Sequence, residues 1–262
     1  MTGSVTPSDP DTCSSTYRVR FDEAAPDGYI RTSVLLRYTQ DLAGVHSTAR
    51  GFGRDWYAER GLTWLVRAAE VAVLAPIEVS AELVGTTRVV GWRRVWARRR
   101  TDFVDATGAL AASVLIDWVL LDARGSPTRI PAEFEPVFGA PAATFGLARV
   151  EIGEPPPNAF RASVDIRPQE LDPLAHVNNA VYADWLDEVV LGAGGADGEA
   201  AVRAIPRLAR LEYARAIEPG ARPEIVAWAD EGGWSCRVAA TERNARSDRL
   251  RARLETTTAA PA

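Results

Sequence analysis

The 262-residue chain contains no lysine, so all 30 basic residues are arginine. That absence excludes a Schiff-base lysine, a lysine general base and a phosphate-binding loop of the Gly-x-x-x-x-Gly-Lys kind. Histidine is almost as scarce, with only His46 and His176. They lie far apart in the sequence, and no Cys-x-x-Cys or His-Glu-x-x-His occurs, so neither a metal nor any other cofactor is expected. Two cysteines, Cys13 and Cys236, do not make a disulfide framework, which points to a reducing cytoplasm. No window approaches 18 uninterrupted apolar residues, so no membrane-spanning helix is expected. Gly-x-Ser-x-Gly and Gly-x-Gly-x-x-Gly are also missing, which argues against a serine nucleophile on a strand-helix elbow and against a bound dinucleotide. A formal net charge of -5 makes nucleic acid a poor partner.

What is present is an ordinary globular composition, 47% hydrophobic and 25% charged. Eight tryptophans against one methionine suggest a core of rigid aromatics. Length alone allows one or two domains. The first 16 residues carry no apolar run and no basic start, so they read as a disordered tail rather than a signal peptide, and residues 257–262 read as a second tail.

An internal repeat organises the rest. Tyr17 to Phe21 is read as a strand and Thr32 to Gly51 as an amphipathic helix, with Leu35, Leu36, Leu42 and Val45 at helical spacing and Gly51 as its stop. Four strands follow at Leu62 to Val73, Glu78 to Val90, Trp92 to Val104 and Ala109 to Leu121, rich in Val, Trp, Leu and Thr. The order then returns: a strand at Arg161 to Ile166, a helix near Asn179 to Leu191 ending in a glycine loop at 192–196, and strands at Arg207 to Ile217, Pro223 to Ala229, Ser235 to Thr241 and Arg249 to Glu255. Glu70-Val71-Ala72 aligns best with Glu212-Tyr213-Ala214, an offset of 142 residues. Residues 132–158 form a proline-rich linker between units 17–131 and 159–256. The expected class is therefore α+β: a double hotdog of two β-α-β-β-β-β repeats, with antiparallel sheets wrapped around long helices and joined edge to edge. Two unrelated α+β domains would leave the repeated order unexplained.

The sharpest local signal runs from Arg167 through Asp172-Pro173-Leu174-Ala175-His176-Val177-Asn178-Asn179 to Glu188. It places a carboxylate, an imidazole and two amides at a strand-to-helix junction, where free backbone N–H groups can hold a developing oxyanion. In that setting Asp172 suits a general base or a nucleophile, and His176 a partner in proton transfer. Each residue also has a purely structural reading. Asp172 before proline suits a turn, Asn178 or Asn179 suits a helix cap, and His176 and His46 suit satisfied structural histidines.

The 161–188 stretch resembles the second hotdog domain of the acyl-ACP thioesterases. The first half also resembles that family, through Gly51-Phe52-Gly53, Gly61-Leu62-Thr63-Trp64, Pro76, Arg99-Arg100-Thr101-Asp102-Phe103, Trp118-Val119-Leu120 and Arg129-Ile130-Pro131 in order. The resemblance implies a thioester hydrolase with its reactive groups in the second repeat and its acyl tunnel largely in the first. The family pattern Asp-x-Asn-x-His is met by Asp172 and His176, but Leu174 replaces the asparagine. Ala216 and Ile217 stand where the plant enzymes carry Glu-Cys, so Cys-His catalysis is not supported. Asp172-Pro173 is closer to the simpler acyl-CoA thioesterases of the same fold.

On this reading Asp172 and His176 are the catalytic candidates, and Asn178 and Asn179 mark the oxyanion and positioning segment. The arginines of 93–100 read either as a solvated sheet face or, at Arg94, Arg98, Arg99 and Arg100, as a dock for the acidic surface of acyl carrier protein or the phosphates of coenzyme A. The function expected is hydrolysis of fatty acyl-ACP in the cytoplasm, with acyl-CoA hydrolysis as the alternative. An acyl- or carrier-binding module with little catalysis is the reading from another class, and a hydratase on the same fold is more distant. Nothing fixes the oligomeric state, and a homodimer is compatible with the sequence.

Overall fold

The computed structural model describes residues 11–242 and 245–256. The first half contains β1 (Thr12–Arg18), α1 (Thr32–Ala49), the short α2 (Arg54–Glu59), β2 (Thr63–Val73), β3 (Glu82–Arg93), β4 (Trp96–Val104) and β5 (Leu110–Leu121). After a short α3 (Glu135–Phe138) the second half follows with β6 (Phe160–Ser163), α4 (Val181–Arg203), β7 (Arg207–Tyr213), β8 (Glu224–Asp230), β9 (Gly233–Glu242) and β10 (Ala245–Thr256).

All ten strands form one antiparallel sheet in the order β1-β3-β4-β5-β2-β7-β10-β9-β8-β6. This is the edge-to-edge double hotdog expected from the repeat. The join is β2 against β7, from Ala68 opposite Glu212 to Val73 opposite Arg207. Inward residues of the sheet, such as Val71, Ile116, Leu211 and Val238, bury against Leu35 and Leu36 of α1 and Trp185 and Leu186 of α4. The three- to four-residue spacing of the apolar positions in α1 thus matches a helix embraced by a sheet. Gly51, at φ +86°, ends α1 as expected, because only glycine takes that conformation without a Cβ penalty.

Several expectations shift. Strand β1 begins at Thr12, inside the segment read as a tail up to Thr16; residues 1–10 and 257–262 lie outside the described residues. The strand is polar and carries no apolar alternation. It is held by its ladder to β3, by the Ser14–Thr86 hydroxyl contact at 2.8 Å and by burial of Cys13, rather than by an apolar face. The β3–β4 turn falls at Arg94, which has φ +55°, while Gly91 marks a register shift. Helix α4 continues past Leu191 to Arg203, but as two helical segments that meet at a kink at Gly195 (φ +50°), so the glycine run bends the helix rather than ending it. Its glycines are contact residues as much as breakers: a Cβ on Gly192 would lie 2.9 Å from the Phe160 ring, and one on Gly194 would overlap Trp234.

The proline-rich connection is neither loose nor wholly irregular. It contains α3 and then crosses the outer face of the sheet, where the Ala148 and Val150 amides donate to Asp117 (2.9 Å) and Glu212 (3.0 Å). Asp117 also accepts a two-pronged Arg98 fork at 2.6 and 2.8 Å while only 1% exposed. Removing one partner of such a buried pair is costly. Asp117→Ala is therefore expected to lower unfolding free energy by about 2 to 4 kcal/mol in a denaturant titration; a change under about 0.5 kcal/mol would contradict the strap's structural role.

Candidate active site

The residues 167–179 form a closed loop between β6 and α4. Glu170 reaches back to the Arg167 amide at 2.7 Å, Leu171 bridges Val177, and the Asp172 amide donates to the His176 carbonyl at 2.8 Å. Ala175 turns the chain with φ +58°. The Asp172 carboxylate oxygen Oδ1 accepts from the amides of Leu174 (2.8 Å) and His176 (3.3 Å), so the backbone itself orients the acid. The turn-forming and reactive readings of Asp172 therefore coexist in one geometry.

The same loop occurs in the first half. Arg20, Glu23, Ala24 and Ile30 repeat the bonds of Arg167, Glu170, Leu171 and Val177, each pair 147 residues apart. Further along, the Ile30 amide donates to Ile77 as the Val177 amide does to Ile217, so there the offset is 140. The match of Glu70 with Glu212 was therefore slipped by two residues, which preserved the faces of the strands. With the right equivalence, Ala25, Tyr29, Arg31 and Thr32 occupy the places of Asp172, His176, Asn178 and Asn179. The first loop keeps the shape but has alanine at the place of Asp172; its own aspartate, Asp27, stands at the place of Leu174, accepts from the Tyr29 amide at 3.0 Å and is paired with Arg203 at 3.2 Å.

Three backbone amides, those of Asn178, Asn179 and Ala180, lie at the end of the loop where it enters α4. The Asn178 amide is taken by Glu170 at 2.8 Å, and that of Ala180 by the Asn178 side-chain oxygen at 2.9 Å. The Asn179 amide makes no hydrogen bond among the described residues. Asn178 thus caps the turn just before α4 rather than the helix itself, whose N-cap is Ala180. The Asn179 carbonyl is fixed by the Tyr213 hydroxyl at 2.9 Å. Nδ1 of His176 is buried and has no partner among the described residues.

A cavity of about 330 Å³ opens over Asp172, His176, Asn178 and Asn179. Its opposite wall comes from the first half: Gln40 of α1, Arg54 of α2, Trp64 of β2 and Trp118 of β5. The same four residues border a second cavity of about 320 Å³ beneath α1, lined by Phe52, Trp92, Phe134 and Phe138 among others. The two spaces share a wall of side chains that sequence reading had not singled out. Only the 147-residue offset, applied to the loops, would have pointed to α1 as the facing element.

The missing family positions are visible too. Leu174 is 47% exposed, Ala216 lines the cavity, and Ile217 is buried with its carbonyl bound to the Val177 amide. Cys236 is buried in β9, and burial pushes its thiol up to about 12, so it is no substitute nucleophile. The basic stretch does not form the expected dock. Arg98 is committed to Asp117 and Arg100 to Asp102 (2.9 Å), Arg99 is only 8% exposed on the inner face, and Arg94 alone is exposed, at the β3–β4 turn. The physical reason is that sheet carboxylates neutralise the outward arginines.

Residues 10–136 match the Acyl-ACP thioesterase N-terminal domain. The first half of the chain is thus matched by the N-terminal domain of the acyl-ACP thioesterase family. No curated protein sequence matches it. Among solved structures, a Lactobacillus plantarum protein described as an oleoyl thioesterase is 16% identical and superposes with a TM-score of 0.79, covering 97% of this chain and 99% of that one. An acyl-ACP thioesterase from Bacteroides thetaiotaomicron is 14% identical, with a TM-score of 0.76 over 93% of this chain and 97% of that one. The 12:0-ACP thioesterase of Umbellularia californica is 21% identical, with a TM-score of 0.76 over 93% and 96%. At these identities the superpositions establish the shared double-hotdog fold. The family makes this chain a thioester hydrolase. Among the described residues no cluster of possible metal ligands occurs, and no helix is long and apolar enough to cross a membrane.

Within this thioesterase, Asp187 of α4 stands at the place that Gln40 holds on α1. Its Oδ1 is buried without a partner, and burial, with Asp184 adding to it against Arg207 and Arg31, pushes its carboxyl up to about 7. Because the folded-state value is raised, this group's stabilising contribution is full below the unfolded value of 3.8 and is lost as pH rises through about 7. Asp187→Asn should flatten the stability-versus-pH curve between those limits, read by thermal unfolding at several pH values; an unchanged slope would show that Asp187 is not the group responsible.

Proposed function

We propose that Asp172 is the essential group in hydrolysis of fatty acyl-ACP to free fatty acid and carrier thiol. The observation that carries this reading is the junction of two cavities. One holds a backbone-oriented carboxylate, an unbonded Asn179 amide and an unpartnered imidazole nitrogen, and the other offers an apolar space for the chain. With the acyl chain in the apolar cavity, the thioester carbon rests near Asp172. The carboxylate takes a proton from water, which adds to the carbonyl carbon, or it attacks directly to give a mixed anhydride that water then opens. The Asn179 amide faces the developing oxyanion, and His176 assists proton transfer to the departing thiolate. Cys-His chemistry plays no part, since Ala216 and Ile217 hold the relevant positions.

Acyl-CoA hydrolysis is the second reading, favoured by Asp172-Pro173 and by Leu174 in place of asparagine; rates on the two carriers at matched chain length separate them. A binding module would hold the acyl chain without releasing thiol. Carrier docking passes from the 98–100 arginines to the exposed Arg54 and Arg215 at the rim of the Asp172 cavity. Neither has a salt-bridge partner among the described residues. A cytoplasmic location fits the two unpaired cysteines.

Asp172→Asn is expected to remove most thiol release with an unchanged unfolding midpoint; wild-type turnover in the purified variant would refute the assignment. His176→Ala should lose roughly 10² to 10⁴ in turnover, the usual contribution of one acid-base group, and a loss below about threefold would leave His176 a structural role. Reversing both Arg54 and Arg215 to Glu should raise KM for a carrier-bound substrate while barely affecting a short acyl thioester; equal effects on both substrates would rule out docking at this rim.

A further inference from the structure

The apolar cavity contains one residue that a simple hydrocarbon pocket would not have. Strand β4 carries three consecutive arginines, and they differ in pairing. Arg98 and Arg100 face outward onto Asp117 and Asp102. Arg99 points inward, lines the cavity among aromatic rings, is 8% exposed, and has no carboxylate within ion-pair distance among the described residues.

Its one side-chain hydrogen bond among the described residues is from Nη1 to Nδ1 of His46, at 2.8 Å. That imidazole cannot neutralise it. Burial and the guanidinium groups of Arg99 and Arg50 hold His46 down at about 4, so it is uncharged at neutral pH. A neutral imidazole also has a single acceptor nitrogen, whereas Arg50 Nε approaches the other nitrogen at 3.4 Å. The remaining neighbours, the Tyr57 hydroxyl and the Cys13 thiol, are both shifted upward by burial and so stay neutral. A buried guanidinium without an anion is costly, and its fork of donors suits a carboxylate.

The place of this cation along the cavity is defined. Gln40 borders both cavities, whereas Arg99 borders only the apolar one and meets α1 at His46. Six residues of helix separate Gln40 from His46, which is ~9 Å along the axis. The cation therefore lies away from the thioester end, at the depth of a medium-length chain.

We propose that Arg99 forms a polar subsite for a carboxylate at the distal end of the acyl chain, so that ω-carboxyacyl thioesters are bound and hydrolysed in addition to unsubstituted fatty acyl ones, and in preference to them at medium chain length. The subsite rests on the thioesterase reading for its place in catalysis, but its binding can be measured apart from turnover. In thermal unfolding, decanedioate should raise the wild-type midpoint more than decanoate at equal concentration, and Arg99→Gln should abolish the difference. In hydrolysis, the ratio of kcat/KM for ω-carboxydecanoyl-CoA over decanoyl-CoA should fall about tenfold or more in Arg99→Gln, as expected for loss of one charge-assisted contact. Wild-type protein that shows no preference in either assay overturns the subsite, whether or not the variant folds. Decanedioate stabilisation lost in Arg99→Gln, with neither thioester hydrolysed, supports the subsite and overturns the thioesterase reading instead.

Discussion

The pairing of β2 with β7 is the constraint on which the rest depends. Each half alone would end in an unsatisfied strand edge, and joining the two edges turns a pair of five-stranded sheets into one ten-stranded surface. The register centres on Glu70 opposite Arg210, residues 140 apart, which is also the offset of the loops that follow β2 and β7. The two halves are therefore related by an approximate two-fold axis through this pair. That axis sets α1 of one half against the 167–179 loop of the other, and the Asp172 cavity is built across the join.

The duplication has been spent unequally. Both strand-to-helix loops keep the arginine-glutamate brace and the same main-chain bonds, since these determine the shape of the turn. Only the second has an acid at the Asp172 place; the first has Ala25 there, and its Asp27 is tied to the Tyr29 amide and Arg203. The helix positions facing the loops have diverged as well, with Gln40 toward the Asp172 cavity and Asp187 at the corresponding place in α4. The first half has instead opened a space under α1, walled by aromatic residues from α2, α3 and the sheet. Rigid rings suit a cavity that must stay open, because they resist collapse better than flexible thioethers do.

Charge is arranged by the same topology. With arginine as the only cationic side chain apart from histidine, the outer face is stitched by forks to Asp117, Asp102 and Glu212, and the connection between the halves is pinned into that network. The alternation of a strand places Arg99 on the opposite face from its neighbours. One basic run therefore supplies both a structural lattice outside and a solitary cation inside, and a one-residue slip in register would exchange the two.

The sequence by itself determined the repeat, the element order and the reactive loop, because these are written in local chemistry: apolar spacing, turn residues and a short polar motif at a helix start. Its misses have local causes too. Strand β1 is polar and held by hydrogen bonds, α4 uses glycines for close approach to Phe160 and Trp234, and the 142-residue offset was slipped because Glu-x-Ala recurs by chance near the true match. Only the tertiary structure decided which amide of the loop end stays unbonded, which arginines face carboxylates, and that Gln40, Trp64 and Trp118 border the same cavity as Asp172. Those facts depend on which strands meet across the sheet and which face each residue presents, and long-range pairing leaves no trace in the spacing of neighbours along the chain.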